Sequence, residues 1–185
     1  MSYSVDQASR RWWSEVRVNG EQLIEWLQKQ YHGEVTAAER IERFSTAFVS
    51  EGSRERFVLE IIAGQERQHA AWVGELLNVR GIQPQVLDKT ERYWEETLSS
   101  ITSLESGAAV AAHAEIMRLS RIEAIAEDPE APADIRQVFS RILPQERFHA
   151  RAFSEIAGRE AMTNAQDSHQ RGLIALGLIT VEEIL

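Results

Sequence analysis

The chain contains no cysteine, so disulfides, cysteine-ligated zinc, iron–sulfur clusters and thiol nucleophiles are all excluded. Any bound metal has to be held by histidine and carboxylates. Proline and glycine are scarce, at four and ten residues in 185, and no Gly/Ser-rich or Pro-rich stretch marks a linker. One compact domain is therefore expected. Basic residues are in deficit, 20 against 29 acidic, and a formal charge of −9 repels phosphate backbones and anionic membranes. No run approaches the roughly 18 apolar residues of a membrane span, and the N-terminal stretch has no signal-peptide core. The expectation is a soluble cytoplasmic protein with no nucleic-acid or membrane partner.

Against these absences stands one repetition. The hexapeptide QERQHA at residues 65–70 returns as QERFHA at residues 145–150. Upstream, at an offset of 81, Arg11, Trp13, Glu15, His32, Glu34, Arg40, Ile41 and Glu42 recur as Arg92, Trp94, Glu96, His113, Glu115, Arg121, Ile122 and Glu123. Self-similarity at a fixed offset points to a duplicated supersecondary unit. The two copies span about residues 4–80 and 85–157, followed by a C-terminal helix at about 160–177.

Periodicity says what the unit is. Val58, Leu59, Ile62, Val73, Leu76 and Leu77 fall on one stripe at helical spacing around Glu66, with Ser53 as N-cap and Gly81 as stop. Ile135, Val138, Phe139, Ile142, Phe153 and Ile156 surround Glu146 in a helix from about Pro132 to Ala157, with Pro132 in its first turn. Leu104, Ala108, Ala111, Ala112, Leu119, Ile122 and Ala126 surround Glu115, and Leu23, Trp26, Leu27, Ala38, Ile41, Phe44 and Phe48 surround Glu34. Nothing alternates with a period of two. The fold class is all-α, with two helical hairpins turning at residues 50–53 and 128–131, each preceded by an aromatic lead-in (Trp12-Trp13, Tyr93-Trp94) read as packing residues. The apolar phase leaves open whether Asn19-Gly20 breaks the first lead-in from its helix. Residues 180–183 read as a short last turn.

On all four helices a glutamate occupies the centre of the apolar stripe, where an isolated carboxylate costs several kcal/mol, about 3–5, to leave unpaired. Glu34 and Glu66 are equidistant from the first turn, and Glu115 and Glu146 from the second, so all four lie at one level. His69 and His149 follow their glutamates by three residues, on the same face one turn along. Two divalent cations would balance four carboxylates and take one histidine each. The expected ligands are Glu34, Glu66, His69, Glu115, Glu146 and His149.

The set Glu34, Glu66-Arg67-Gln68-His69, Glu115 and Glu146-Arg147-Phe148-His149 resembles that of the ferritin-like di-iron carboxylate superfamily, with lone-Glu to ExxH spacings similar to rubrerythrin-type and bacterioferritin-type members. The resemblance covers about residues 20–157. It implies a ferritin-like four-helix bundle with two iron ions (Mn or Zn as alternatives) and an oxidoreductase activating O2 or peroxide. A bacterioferritin-type ferroxidase and a non-catalytic metal-binding bundle are the rival readings. The missing cysteines depart from rubrerythrins with a rubredoxin-like domain, so the electron donor or organic substrate stays unidentified. A homodimer stays open.

Several neighbouring signals compete with this reading. Thr36-Ala-Ala-Glu39 has the form of a capping box that would start a helix at Thr36 and leave Glu34 in a loop, although the apolar phase from Leu23 to Phe48 favours one helix with Glu39 outward. Glu42 and Glu123 are expected to pair with cations such as Arg67 and Arg147 rather than with metal. Pro144, matched by Gly64 in the first copy, is expected to kink or loosen its helix. His32 and His113 lie far round from the ligand glutamates, so exposed or interface positions are expected.

Overall fold

A computed structural model describes the backbone of residues 2–179 and the side chains of residues 6–179. The turn expected at residues 180–183 lies outside them. Among the described residues there is no strand, and seven α-helices follow in order: α1 (Ser2–Val16), α2 (Gly20–Phe48), α3 (Arg54–Asn78), α4 (Arg92–Thr97), α5 (Leu104–Ala126), α6 (Ala133–Asn164) and α7 (Gln166–Ala175). No described helix is long and apolar enough to cross a membrane. The fold is all-α, as expected.

Local chemistry explains the boundaries. Asn19 ends the ambiguity at the first lead-in: its side chain accepts from the Gln22 N–H at 3.2 Å and starts α2. Ser53 caps α3 by accepting from the Arg56 N–H at 3.1 Å, and Gly81, at φ +73°, follows the C-terminus of α3. Thr36 is no helix start, since its hydroxyl donates to the carbonyls of His32 and Gly33 inside α2, and Glu39 is exposed. The non-helical backbone within α6 is at Gly158 (φ 71°, ψ 167°) rather than at Pro144. Ser140, whose carbonyl loses its partner to Pro144, is exposed, so water can satisfy it and the helix runs on.

The chain divides into two compact units. The first holds the chain up to Asp88 with Arg118–Glu146, and the second holds Lys89–Met117 with the chain from Arg147 on. In the first unit, α1, α2, α3, the end of α5 and the start of α6 pack around Trp13, Leu27, Val73, Leu77, Ile125, Ile135, Phe139 and Ile142. Trp12, Trp13 and Trp26 contact one another with ring centroids 5.5–6.1 Å apart, and Trp26 packs on Phe139 at 5.3 Å. The Trp13 indole N–H donates to Asp128 Oδ2 at 2.9 Å, and Arg17 Nε lies 3.2 Å from the same oxygen, pinning α1 to the α5–α6 turn. Phe48, expected on the α2 stripe, is exposed at the end of its helix, where it packs on Phe44 at 5.4 Å.

The second unit is built around Tyr93 on α4, which is buried against α7: a Cβ on Gly172 would stand 2.5 Å from the Tyr93 ring. The Tyr93 hydroxyl shares a 2.8 Å hydrogen bond with His169 Nδ1. His113 stacks on His169 at 4.6 Å and donates through Nε2 to the Met162 carbonyl at 3.0 Å.

Candidate metal centre

Within the first unit, Glu34 from α2, Glu66 and His69 from α3 and Glu146 from α6 are all fully buried, and one ligand atom from each lies within 4.8 Å of the others. The imidazole sets the geometry. His69 Nδ1 stands 3.4 Å from Glu146 Oε1, 3.6 Å from Glu34 Oε2 and 3.9 Å from Glu66 Oε2. These separations exceed a hydrogen bond. Atoms bound to one ion at about 2.1 Å can stand no more than about 4.2 Å apart, so the three pairs suit a shared cation. Oxygen-rich sets with an imidazole suit Fe, Mn or Zn.

Neighbours hold the ligands in place. His69 Nε2 lies 2.8 Å from Gln145 Oε1, so an Nε2–H donated to that oxygen leaves Nδ1 facing the carboxylates. Gln30 Nε2 donates to Glu34 Oε1. The Arg118 guanidinium on α5 lies 2.8 Å from Glu34 Oε1 and 3.7 Å from Glu146 Oε1. Burial alone would raise the Glu34 pKa, yet Arg118 and then His69 hold it well below the ordinary carboxylate range. Burial would lower the pKa of His69, but the carboxylates of Glu146 and Glu34 override it and push the imidazole up to about 10.

The structure brings Glu34, Glu66, His69 and Glu146 together as the sequence pattern predicts. Glu115 and His149 are also buried, on α5 three residues before Arg118 and on α6 three residues after Glu146. Glu42 forms an ion pair with Arg67. His32 departs from expectation: it is 3% exposed, because the segment after α3 folds back over α2. The Leu87 N–H donates to its Nδ1 at 3.1 Å, and Gln28 holds the same segment through Gln83 and Gln85. His113 is half-buried against His169 rather than exposed.

Three residues at this site are not among the expected site residues. Gln145 was visible within the repeated Gln-Glu-Arg-x-His-Ala, where it precedes the ligand glutamate. Gln30 carried no signal beyond a spacing of four from Glu34. Arg118 stands three residues after Glu115, as His69 does after Glu66, but its counterpart at the 81-residue offset is Ala37, so it breaks the repeat and a search for recurring residues passes over it.

The rubrerythrin family model matches residues 25–157. The chain belongs to the rubrerythrin family. Comparison with curated proteins and with solved structures returns no match. The matched span of this rubrerythrin-family chain runs from α2 to the Gly158 break in α6 and includes all six expected ligands.

Proposed function

We propose that this chain holds two iron ions through Glu34, Glu66, His69, Glu115, Glu146 and His149 and serves as an oxidoreductase that reduces O2 or peroxide, with electrons from an external donor or an organic substrate. The observation that carries the reading is the fully buried group of three carboxylates and one imidazole within 4.8 Å. Such a group is costly in an apolar interior unless cations compensate it. Family membership supports iron as the metal.

Bound iron would supply one-electron redox steps and sites for oxygen ligands. The chain's own residues supply the rest. Gln145 orients His69 so that Nδ1 faces the carboxylates, and Gln30 orients Glu34. Leu59, Ile62 and Phe139, all fully buried, belong to the apolar interior of the same unit and exclude bulk water from it. Nδ1 of His69 ligates only through a free lone pair, so any proton held at that atom leaves on binding.

The test is anaerobic loading with Fe2+, a count of bound iron, then exposure to O2 or peroxide with and without reductant. About two irons per chain and repeated turnover are expected. Stoichiometric iron oxidation with growth of a mineral core would replace the oxidoreductase by a ferroxidase, and failure to bind iron would remove the proposal.

A further inference from the structure

The ligand group already contains a cation of its own. Arg118 NH2 is 2.8 Å from Glu34 Oε1 and 3.7 Å from Glu146 Oε1, two oxygens offered by expected ligands. Its side chain is 24% exposed, while Glu34 and Glu146 are fully buried. Arg118 thus sets one fixed positive charge against two buried carboxylates before any metal arrives.

We infer that Arg118 is a resident counter-cation that competes with metal for Glu34 and Glu146, and that it sets how tightly the site binds divalent ions. A guanidinium hydrogen-bonded to a carboxylate oxygen occupies a lone pair a metal would use, and its charge repels an incoming dication. An arginine cannot relieve that conflict by losing its proton. Arg118 can yield only by moving, and its partly exposed side chain gives it a way toward water. The result is a site that is partly charge-compensated without metal and weakened as a metal trap, as suits a site that must load without holding every passing divalent ion. A positioning role predicts the opposite sign: if Arg118 merely held Glu34 ready for metal, its loss would weaken binding.

The inference rests on the two-metal reading, and the experiment separates the two. Mn2+ is titrated into the metal-free full chain, Arg118→Lys and Arg118→Gln, and free Mn2+ is followed by its EPR signal. Loss of the competing charge in Arg118→Gln is expected to tighten the first Mn2+ by about tenfold or more, with Arg118→Lys, a shorter point charge without the planar fork, tighter by about threefold. The metal-free Arg118→Gln should also melt below the wild type, because two buried carboxylates lose their cation. Unchanged or weaker Mn2+ binding in Arg118→Gln overturns the inference while leaving the two-metal reading in place. Should Arg118→Gln fail to fold, unchanged or weaker binding in Arg118→Lys overturns it alone. Absence of Mn2+ binding in all three proteins removes the two-metal reading and this inference with it.

Discussion

Replacing Glu66 by glutamine should stabilise the metal-free protein and cripple the metal-loaded one. The side chain is fully buried, and its Oε2 is the farthest of the three carboxylate oxygens from His69 Nδ1, at 3.9 Å against 3.4 and 3.6 Å. The Arg118 contacts given above go to Glu34 and Glu146. Of the three oxygens, the one on Glu66 therefore has the weakest attraction to the His69 ring nitrogen, although the residue sits equally deep. Glu66→Gln removes one buried negative charge at nearly constant volume. An ionised carboxylate whose nearest imidazole lies beyond hydrogen-bond distance costs several kcal/mol to keep buried, so a gain of about 2 kcal/mol is expected when the charge is removed. In a chain of this size each kcal/mol moves the midpoint by about 2–4 °C, which makes the expected rise about 4–8 °C. Thermal melts in chelator, followed by far-UV circular dichroism, measure it. Repeating the melts with Fe2+ under argon should show a metal-dependent rise in the wild type that is largely lost in Glu66→Gln, since stabilisation by a ligand follows its affinity. A metal-free Glu66→Gln that melts below metal-free wild type would refute this reasoning and mean that the Glu66 charge is a net stabilising member of the metal-free site.

Glu34→Ala should drop bound metal from about two per chain with helicity retained, whereas Glu39→Ala, exposed on the same helix, should change stability by less than about 0.5 kcal/mol and leave metal content intact. The reverse pattern in metal analysis would break the assignment on α2. Gly172→Ala would push a methyl to 2.5 Å from the Tyr93 ring, an overpacking that costs about 1–3 kcal/mol and should appear as a lower urea midpoint. Burial, then the nearby His113, lowers the His169 pKa to about 4. Below pH 6.5 the unfolded chain protonates this imidazole while the folded one does not, so its contribution is intact above pH 6.5 and is lost as pH falls toward 4. Urea titrations at pH 7.5 and pH 5 should show a decline that is smaller in His169→Gln. An equal decline in both proteins would remove His169 as its source.

Much of this was written in local patterns. Helical phase, the caps Ser53 and Gly81, and glutamates at the centres of apolar stripes are properties of short segments, and a buried carboxylate announces itself because its cost demands a partner. The repeated Gln-Glu-Arg-x-His-Ala marked where the two histidines belong, and Glu34, Glu66, His69 and Glu146 do converge. What periodicity could not decide was whatever depends on a neighbour from elsewhere in the chain. The apolar phase already placed Thr36 inside α2, but it ran through Asn19 and left that residue open until its side chain was seen to accept from the Gln22 N–H. His32 reads as outward on its own helix and is buried because residues 83–87 fold back over it. Arg118, 84 positions from Glu34, has no local mark of its role. Its charge matters at the site only because tertiary packing carries α5 to α2, and the distance between two side chains on different helices is set by that packing rather than by either helix's sequence.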